Sequence, residues 1–309
     1  MVMIRQSKAV YALTSCLLSS LHLPTAQGFT LKVSRTAATY STFGAATRFS
    51  QSSQTKRNMS TPTATDIEAN LSDVKSNIAQ IIEDNNMKEG SVRLIAVSKT
   101  KPIELLMNAY DVGQRYFGEN YAQELMGKAE EMPDDIKWHF IGPLQSNKAA
   151  PLVKSVGLKK LACIETVSTM KLANKLNNAV TFLKEQEGGD TPDDATLGIY
   201  IQANTSGEDS KSGANSAKEC ADLAKDIANA CPNLSINGLM TIGAPGDYSC
   251  FDALVECRQE VADALSVAAD TLELSMGMSG DYPEAIKRGA TSIRVGSTVF
   301  GARDYSNKK

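Results

Sequence analysis

Ile67, Leu71, Val74, Ile78 and Ile81 recur three and four residues apart, which puts them on one face of a helix. After Gly90 the pattern changes. Short, nearly unbroken apolar runs alternate eight times with stretches of helical period. The runs are Arg93–Ser98, Arg115–Gly118, Trp138–Ile141, Lys160–Ile164, Leu197–Ala203, Ile236–Ile242, Leu272–Ser275 and Ser292–Val295. Runs of this kind read as strands covered on both faces, the pattern of parallel sheet. The segments between them carry one apolar stripe each, such as Leu172/Leu176/Ala179/Leu183 or Cys220/Leu223/Ile227/Cys231. Pro102 fits a first helical turn, Asp281–Glu284 reads as a capping box enclosing Pro283, and Gly289 reads as a helix stop. Regular alternation predicts a parallel sheet with helices outside it. Eight repeats predict one (β/α)8 barrel of the TIM type with a leading N-terminal helix; an open doubly wound sheet is the alternative. The polar stretch 204–216 reads as a functional loop.

Charge divides the chain in two. Residues 1–65 hold seven Lys or Arg and no Asp or Glu, while the whole chain is −3, which leaves −10 for residues 66–309. An acidic body without a basic patch is a poor partner for nucleic acid. The basic segment has the layout of an address. Arg5 and Lys8 precede an apolar run to Leu21, small residues follow, and from Phe29 to Ser60 the chain is rich in Ser, Thr, Ala and Arg. The apolar run is too short for a membrane anchor. Residues 1–65 are therefore expected to be a leader, cleaved or disordered, and residues 66–309 the barrel. The two-part layout resembles plastid transit peptides, with mitochondrial import or a start at Met59 in the cytoplasm as alternatives. Six cysteines form no C-x-x-C pair and only two histidines are present, so no zinc site is expected and the thiols read as reduced and mostly buried.

Reactive groups of a β/α barrel collect at the C-terminal ends of its strands. Those ends include Lys99-Thr100-Lys101, Glu119-Asn120, Glu165-Thr166, Gly277-Met278-Ser279-Gly280 and Gly296-Ser297-Thr298. Lys99 ends the apolar run Leu94–Val97, where an apolar wall would lower the pKa of its amine as imine formation requires. A solvated surface lysine is the plainer reading of such a residue, and Lys101 is the more ordinary solvent-facing one. The Gly/Ser loops after the seventh and eighth strands lie where barrels recurrently bind phosphate. A strand-one lysine opposite two such loops suits a phosphate-bearing aldehyde.

Longer motifs then become recognisable: Ala96-Val97-Ser98-Lys99-Thr100-Lys101-Pro102, Phe117-Gly118-Glu119-Asn120-Tyr121, Trp138–Lys148, Ser210-Lys211-Ser212-Gly213, Gly238–Ile242, Ser275–Ser279, Arg294–Ser297 and Phe300–Tyr305. In this order they resemble the pyridoxal phosphate homeostasis protein family over roughly residues 67–305. The resemblance implies a barrel like that of alanine racemase, with pyridoxal 5'-phosphate held as a Schiff base on Lys99. It implies that Ser279, Gly296 and Ser297 hold the phosphate, that Arg294 faces the pyridine nitrogen, and that Asn120, His139 and Met240 line the pocket. Gly280 stands where the family usually has a bulkier or acidic residue. On the residues alone, His139 reads equally well as a hydrogen-bonded core histidine.

Three functions compete. The resemblance implies a non-enzymatic protein that stores pyridoxal phosphate and delivers it to apoenzymes that depend on it; a monomer is expected, and the acidic body and short apolar run lead to no expected nucleic-acid or membrane partner. An amino-acid racemase-like enzyme is the alternative, and a cofactor-free barrel using Lys99 as an aldolase-type amine is the third. Alanine racemases need a second, all-β domain that brings a tyrosine base, and the four residues after Tyr305 leave no room for it. The carrier is therefore the expectation.

Overall fold

A computed structural model describes residues 62–186, 191–208 and 211–302. The chain order begins with a helix, α1 (Ala64–Asp84), and then alternates: β1 (Arg93–Val97), α2 (Ile103–Asp111), β2 (Tyr116–Glu119), α3 (Ala122–Glu131), β3 (Lys137–Phe140), α4 (Ser146–Lys160) and β4 (Leu161–Val167). It continues with α5 (Met170–Glu185), β5 (Leu197–Gln202), α6 (Ala217–Ala230), β6 (Leu234–Met240), α7 (Ser249–Leu265), β7 (Glu273–Met278), α8 (Tyr282–Lys287), β8 (Ser292–Val295) and the single turn α9 (Ser297–Phe300). Each strand pairs in parallel with the next, and β8 pairs with β1 from Arg93↔Ser292 to Ala96↔Val295. The sheet is closed, so the open doubly wound alternative is excluded.

The leading helix starts two residues before the expected boundary. Thr63 caps it, with Thr63 Oγ1 accepting from Asp66 N–H and the Asp66 carboxylate accepting from Thr63 N–H. The capping box of this protein is thus here and not at Asp281, whose side chain accepts instead from Met278 N–H at 2.6 Å. Ile67, Leu71, Val74, Ile78 and Ile81 are all buried as their spacing predicts. Burial of each is worth about 1.5–3 kcal/mol, enough to dock a helix that lies outside the barrel.

Two strands, β4 and β7, run three residues past their predicted ends, each through a register shift, and β2 runs one residue past. Glu165 therefore lies within β4 and is fully buried, and Gly277-Met278 belong to β7. The pleat sends alternate side chains to opposite faces. Outward residues such as Leu94, Ala96, Ile164, Leu239 and Leu274 join the helices in one core. The inward set is unusually polar for a barrel, which commonly fills its middle with Val, Ile and Leu. At the N-terminal end Arg93 grips Glu273 through Nη1 and Nη2, at 2.5 and 3.0 Å, and the Tyr200 hydroxyl donates to the same carboxylate.

Residues 1–61, where the leader was read, lie outside the described residues, as do Ser210 and Arg303–Tyr305 of the recognised motifs. Among the described residues no helix is long and apolar enough to cross a membrane, and no cluster of His, Cys, Asp or Glu could hold a metal ion. The five described cysteines are unpaired and buried.

Candidate functional site

Closure of the sheet sets β7, β8, β1 and β2 side by side, and their C-terminal ends surround a cavity of about 280 Å³. Lys99, Asn120, Ser279, Arg294, Gly296 and Ser297 line it, with Val97, Ile141 and Ile242 supplying apolar wall. Six of the eight expected pocket residues thus meet at one place. His139 and Met240 do not line this cavity. Met240 is packed inside the barrel with Cys163 and Tyr200, because its position in β6 points it at the axis below the mouth. His139 is buried against Glu165, Nδ1 to Oε1 at 2.6 Å, in keeping with the core-histidine reading.

Lys99 occupies the second position of a four-residue turn closed by Lys101 N–H donating to the Ser98 carbonyl at 3.0 Å. Thr100, the third residue, has φ +61°, a conformation that turns of this kind normally give to Gly or Asn. For a β-branched residue such backbone costs on the order of 1–3 kcal/mol, so the surroundings must impose it. Lys101 is not solvent-facing as expected. Its ammonium donates to the Phe300 and Ala302 carbonyls at 2.8 and 2.9 Å, which ties the turn to the end of α9.

Across the cavity, the Gly296 and Thr298 N–H groups both point at Ser279 Oγ, at 3.1 and 3.5 Å. Backbone donors thus converge on the serine expected to hold phosphate. Asp281 closes this loop through Met278 N–H, so its shape does not depend on Gly280, whose Cβ position is open space. Gly277 is required: its φ is +89° and a Cβ would stand 2.6 Å from that of Ala285. Asn120 forms the remaining wall. Its backbone is pressed so closely by Gly142 that a Cβ there would lie 2.1 Å from the Asn120 carbonyl.

Arg294 is buried, with Nη1 donating to Ser275 Oγ at 2.6 Å and Nη2 to the Thr241 carbonyl at 2.7 Å. The Ser275 hydroxyl in turn donates to Glu165 Oε2 at 2.6 Å, and Glu165 stands 3.9 Å from Arg294. The cavity is thereby connected through Arg294, Ser275 and Glu165 to His139. Burial alone would push the Glu165 carboxyl up, but His139, the Arg294 charge and the Ser275 hydroxyl outweigh it and hold it below its usual value. An ionised carboxylate only accepts, so His139 Nδ1 carries a proton toward it. Burial pulls the Arg294 guanidinium down from its ordinary value, opposed by Glu165. A guanidinium nonetheless remains charged in proteins.

Sequence reasoning passed over Glu165 and Ser275 as site support. A carboxylate on the inward phase of the run Leu161–Val167 was the available signal, but it became readable only once the strand's true end was known.

The residues fit pyridoxal phosphate. Lys99 offers an amine for its aldehyde, Ser279, Gly296 and Ser297 a cradle for its phosphate, and Arg294 a donor for its ring nitrogen. Asn120 Oδ1 is buried with no partner, an acceptor held ready beside the same cavity. Such an atom costs stability unless something answers it.

Residues 69–304 match the family model of the alanine racemase N-terminal domain. The human pyridoxal phosphate homeostasis protein is 43% identical over 227 residues, covering 70% of this chain and 78% of that one. The protein of the same name from Caenorhabditis elegans is 45% identical over 227 residues, covering 70% and 88%. Among solved structures, PipY of Synechococcus elongatus PCC7942 with PLP bound has a TM-score of 0.57 at 31% identity, covering 76% of this chain and 100% of that one. Because the likeness runs from the leading helix through all eight strands, the chain belongs to the pyridoxal phosphate homeostasis protein family.

Proposed function

We propose that this protein binds pyridoxal 5'-phosphate at the barrel mouth, as a Schiff base on Lys99, and serves its intracellular homeostasis by storing it and delivering it to apoenzymes. The observation that carries this is the meeting of Lys99, Arg294 and the Ser279/Gly296/Ser297 cradle around one cavity. When bound, the cofactor supplies an electrophilic aldehyde and a ring that accepts carbanion charge if its nitrogen is protonated. The protein's own groups favour holding over turnover. Arg294 donates and cannot accept, so it would keep the ring nitrogen unprotonated and the ring a weak electron sink. Inside the barrel, His139 Nδ1–H is hydrogen-bonded to the Glu165 carboxylate, and Glu165 lies behind Arg294 rather than on the cavity wall.

The purified protein should absorb visibly as a Schiff base and lose that band on borohydride reduction, which a cofactor-free aldolase-type barrel would not. Racemisation of alanine, serine or lysine should be negligible. Turnover on the order of 1 per second or faster would restore the racemase reading.

We also propose that residues 1–65 address the protein to a plastid, on the ground that a basic start and short apolar run precede a Ser/Thr/Ala/Arg-rich stretch, with seven basic residues and no acid in all. N-terminal sequencing of protein from its native cell should then find a start between Phe29 and Asp66. An intact Met1 would refute targeting, and a start at Met59 or Ser60 would point to internal initiation.

A further inference from the structure

In the Lys99 turn, Ser98, Thr100 and Lys101 are held by groups on or beside α3 and α9, and the anchors of the first two converge on one buried ammonium. Lys128, on α3, is 6% exposed and donates to the Ser98 carbonyl at 2.9 Å, Glu119 Oε1 at 2.6 Å and Glu124 Oε1 at 2.6 Å. Three acceptors use all three donors of an ammonium. Glu119 Oε1 also accepts from Ser98 Oγ at 2.6 Å, and Glu124 Oε1 accepts from Thr100 N–H at 2.7 Å. One cation and two carboxylates thus hold the residues immediately before and after Lys99, including the one in the left-handed conformation. Lys101, on the far side, is held by α9.

We infer that Lys128 is the positioning residue of Lys99: with Glu119 and Glu124 it imposes the Thr100 backbone and so aims the Lys99 amine into the cavity. This rests on Lys99 being the residue that holds the cofactor. Stability alone explains the cluster poorly. Glu119 is fully buried, yet its Oε2 has no partner, so half of the carboxylate is left unanswered. Burial raises the Glu119 carboxyl above its ordinary value, against the pull of Lys128 and Ser98. Apolar side chains of similar volume would commonly serve packing as well or better than such a pair. What they could not do is accept Thr100 N–H and bind the Ser98 carbonyl while the turn holds a conformation its sequence disfavours.

The test compares wild type, Lys128→Met, Thr100→Gly and the double variant, each loaded with pyridoxal phosphate. Total bound cofactor is read by equilibrium dialysis, Schiff base by its visible band, and its site by borohydride reduction and peptide mapping. Lys128→Met should keep the phosphate-anchored cofactor but form the Lys99 linkage on the order of tenfold to a hundredfold more slowly, the scale set by small misplacements of a reacting group. Adding Thr100→Gly should recover much of that rate, because Gly adopts positive φ without being held. A Lys99 linkage rate unchanged in Lys128→Met, or a loss in it that Thr100→Gly does not relieve, overturns the inference. If Lys128→Met does not fold, Glu124→Leu is read in its place, since it removes the acceptor of Thr100 N–H and leaves the Lys128–Glu119 pair intact: slower linkage supports the inference and an unchanged rate overturns it. A wild-type protein that carries no linkage on Lys99 fails the cofactor assignment itself, which this comparison reads separately.

Discussion

Borohydride reduction of the loaded protein is expected to leave the phosphopyridoxyl mass on Lys99, and Lys99→Ala is expected to show no visible Schiff-base band. The neighbouring lysine is the informative control. Lys101 lies two residues away and also borders the cavity, but its ammonium is engaged by the carbonyls of Phe300 and Ala302. A lysine serving two carbonyls must abandon both, and release the end of α9, before it can act as a nucleophile. Lys99→Ala should still retain some cofactor through Ser279, Gly296, Ser297 and Arg294, detectable by dialysis though colourless as a Schiff base. Peptide mapping that places the mass chiefly on Lys101 in wild-type protein would sink the assignment.

The second large effect is expected at a residue that does not line the cavity. Glu165→Leu leaves the buried Arg294 guanidinium without its carboxylate and breaks the Ser275 and His139 hydrogen bonds. Removing one partner of a buried pair typically costs about 3–5 kcal/mol, because the other charge is stranded. For a barrel of this size that corresponds to a fall in Tm of roughly 6–20 °C. Adding Arg294→Met should recover a good part of the loss, since the stranded charge is then gone and contacting residues are not additive. The double variant would still lose cofactor, as Arg294 donates to the ring in the proposed function. An acid titration gives an independent check. The folded-state pKa of Glu165 is depressed below its ordinary value, so its stabilisation is present above about pH 4.5 and is lost as pH falls through the folded value. Wild-type stability should accordingly fall more steeply in acid than that of Glu165→Leu, which keeps only the acid limb of the other depressed carboxylates, such as Asp134 and Glu284. A single variant as stable as wild type, with the same acid limb, would mean that Arg294 does not depend on Glu165.

Elements and their order were legible in the chain itself. The five-residue stripe from Ile67 to Ile81, the eight apolar runs and the Gly/Ser loops after the last two strands are local facts, decided by pleat and helical period over a few residues. So was the candidate amine, since a lysine that ends a buried strand of a β/α barrel must stand at its mouth. What sequence could not decide is which side chains answer one another across the barrel. Glu165 and Ser275 are 110 residues apart, and Lys101 reaches carbonyls 199 and 201 residues away. The same is true of the register shifts that carry Glu165 inside β4 rather than past its end. His139 has the same local pattern whether it faces a ligand or a carboxylate, and only the closed barrel, by bringing β4 beside β3, chose Glu165. Partners of buried polar groups are settled by which strands neighbour each other and in what register, and those are properties of the whole sheet, not of any segment in it.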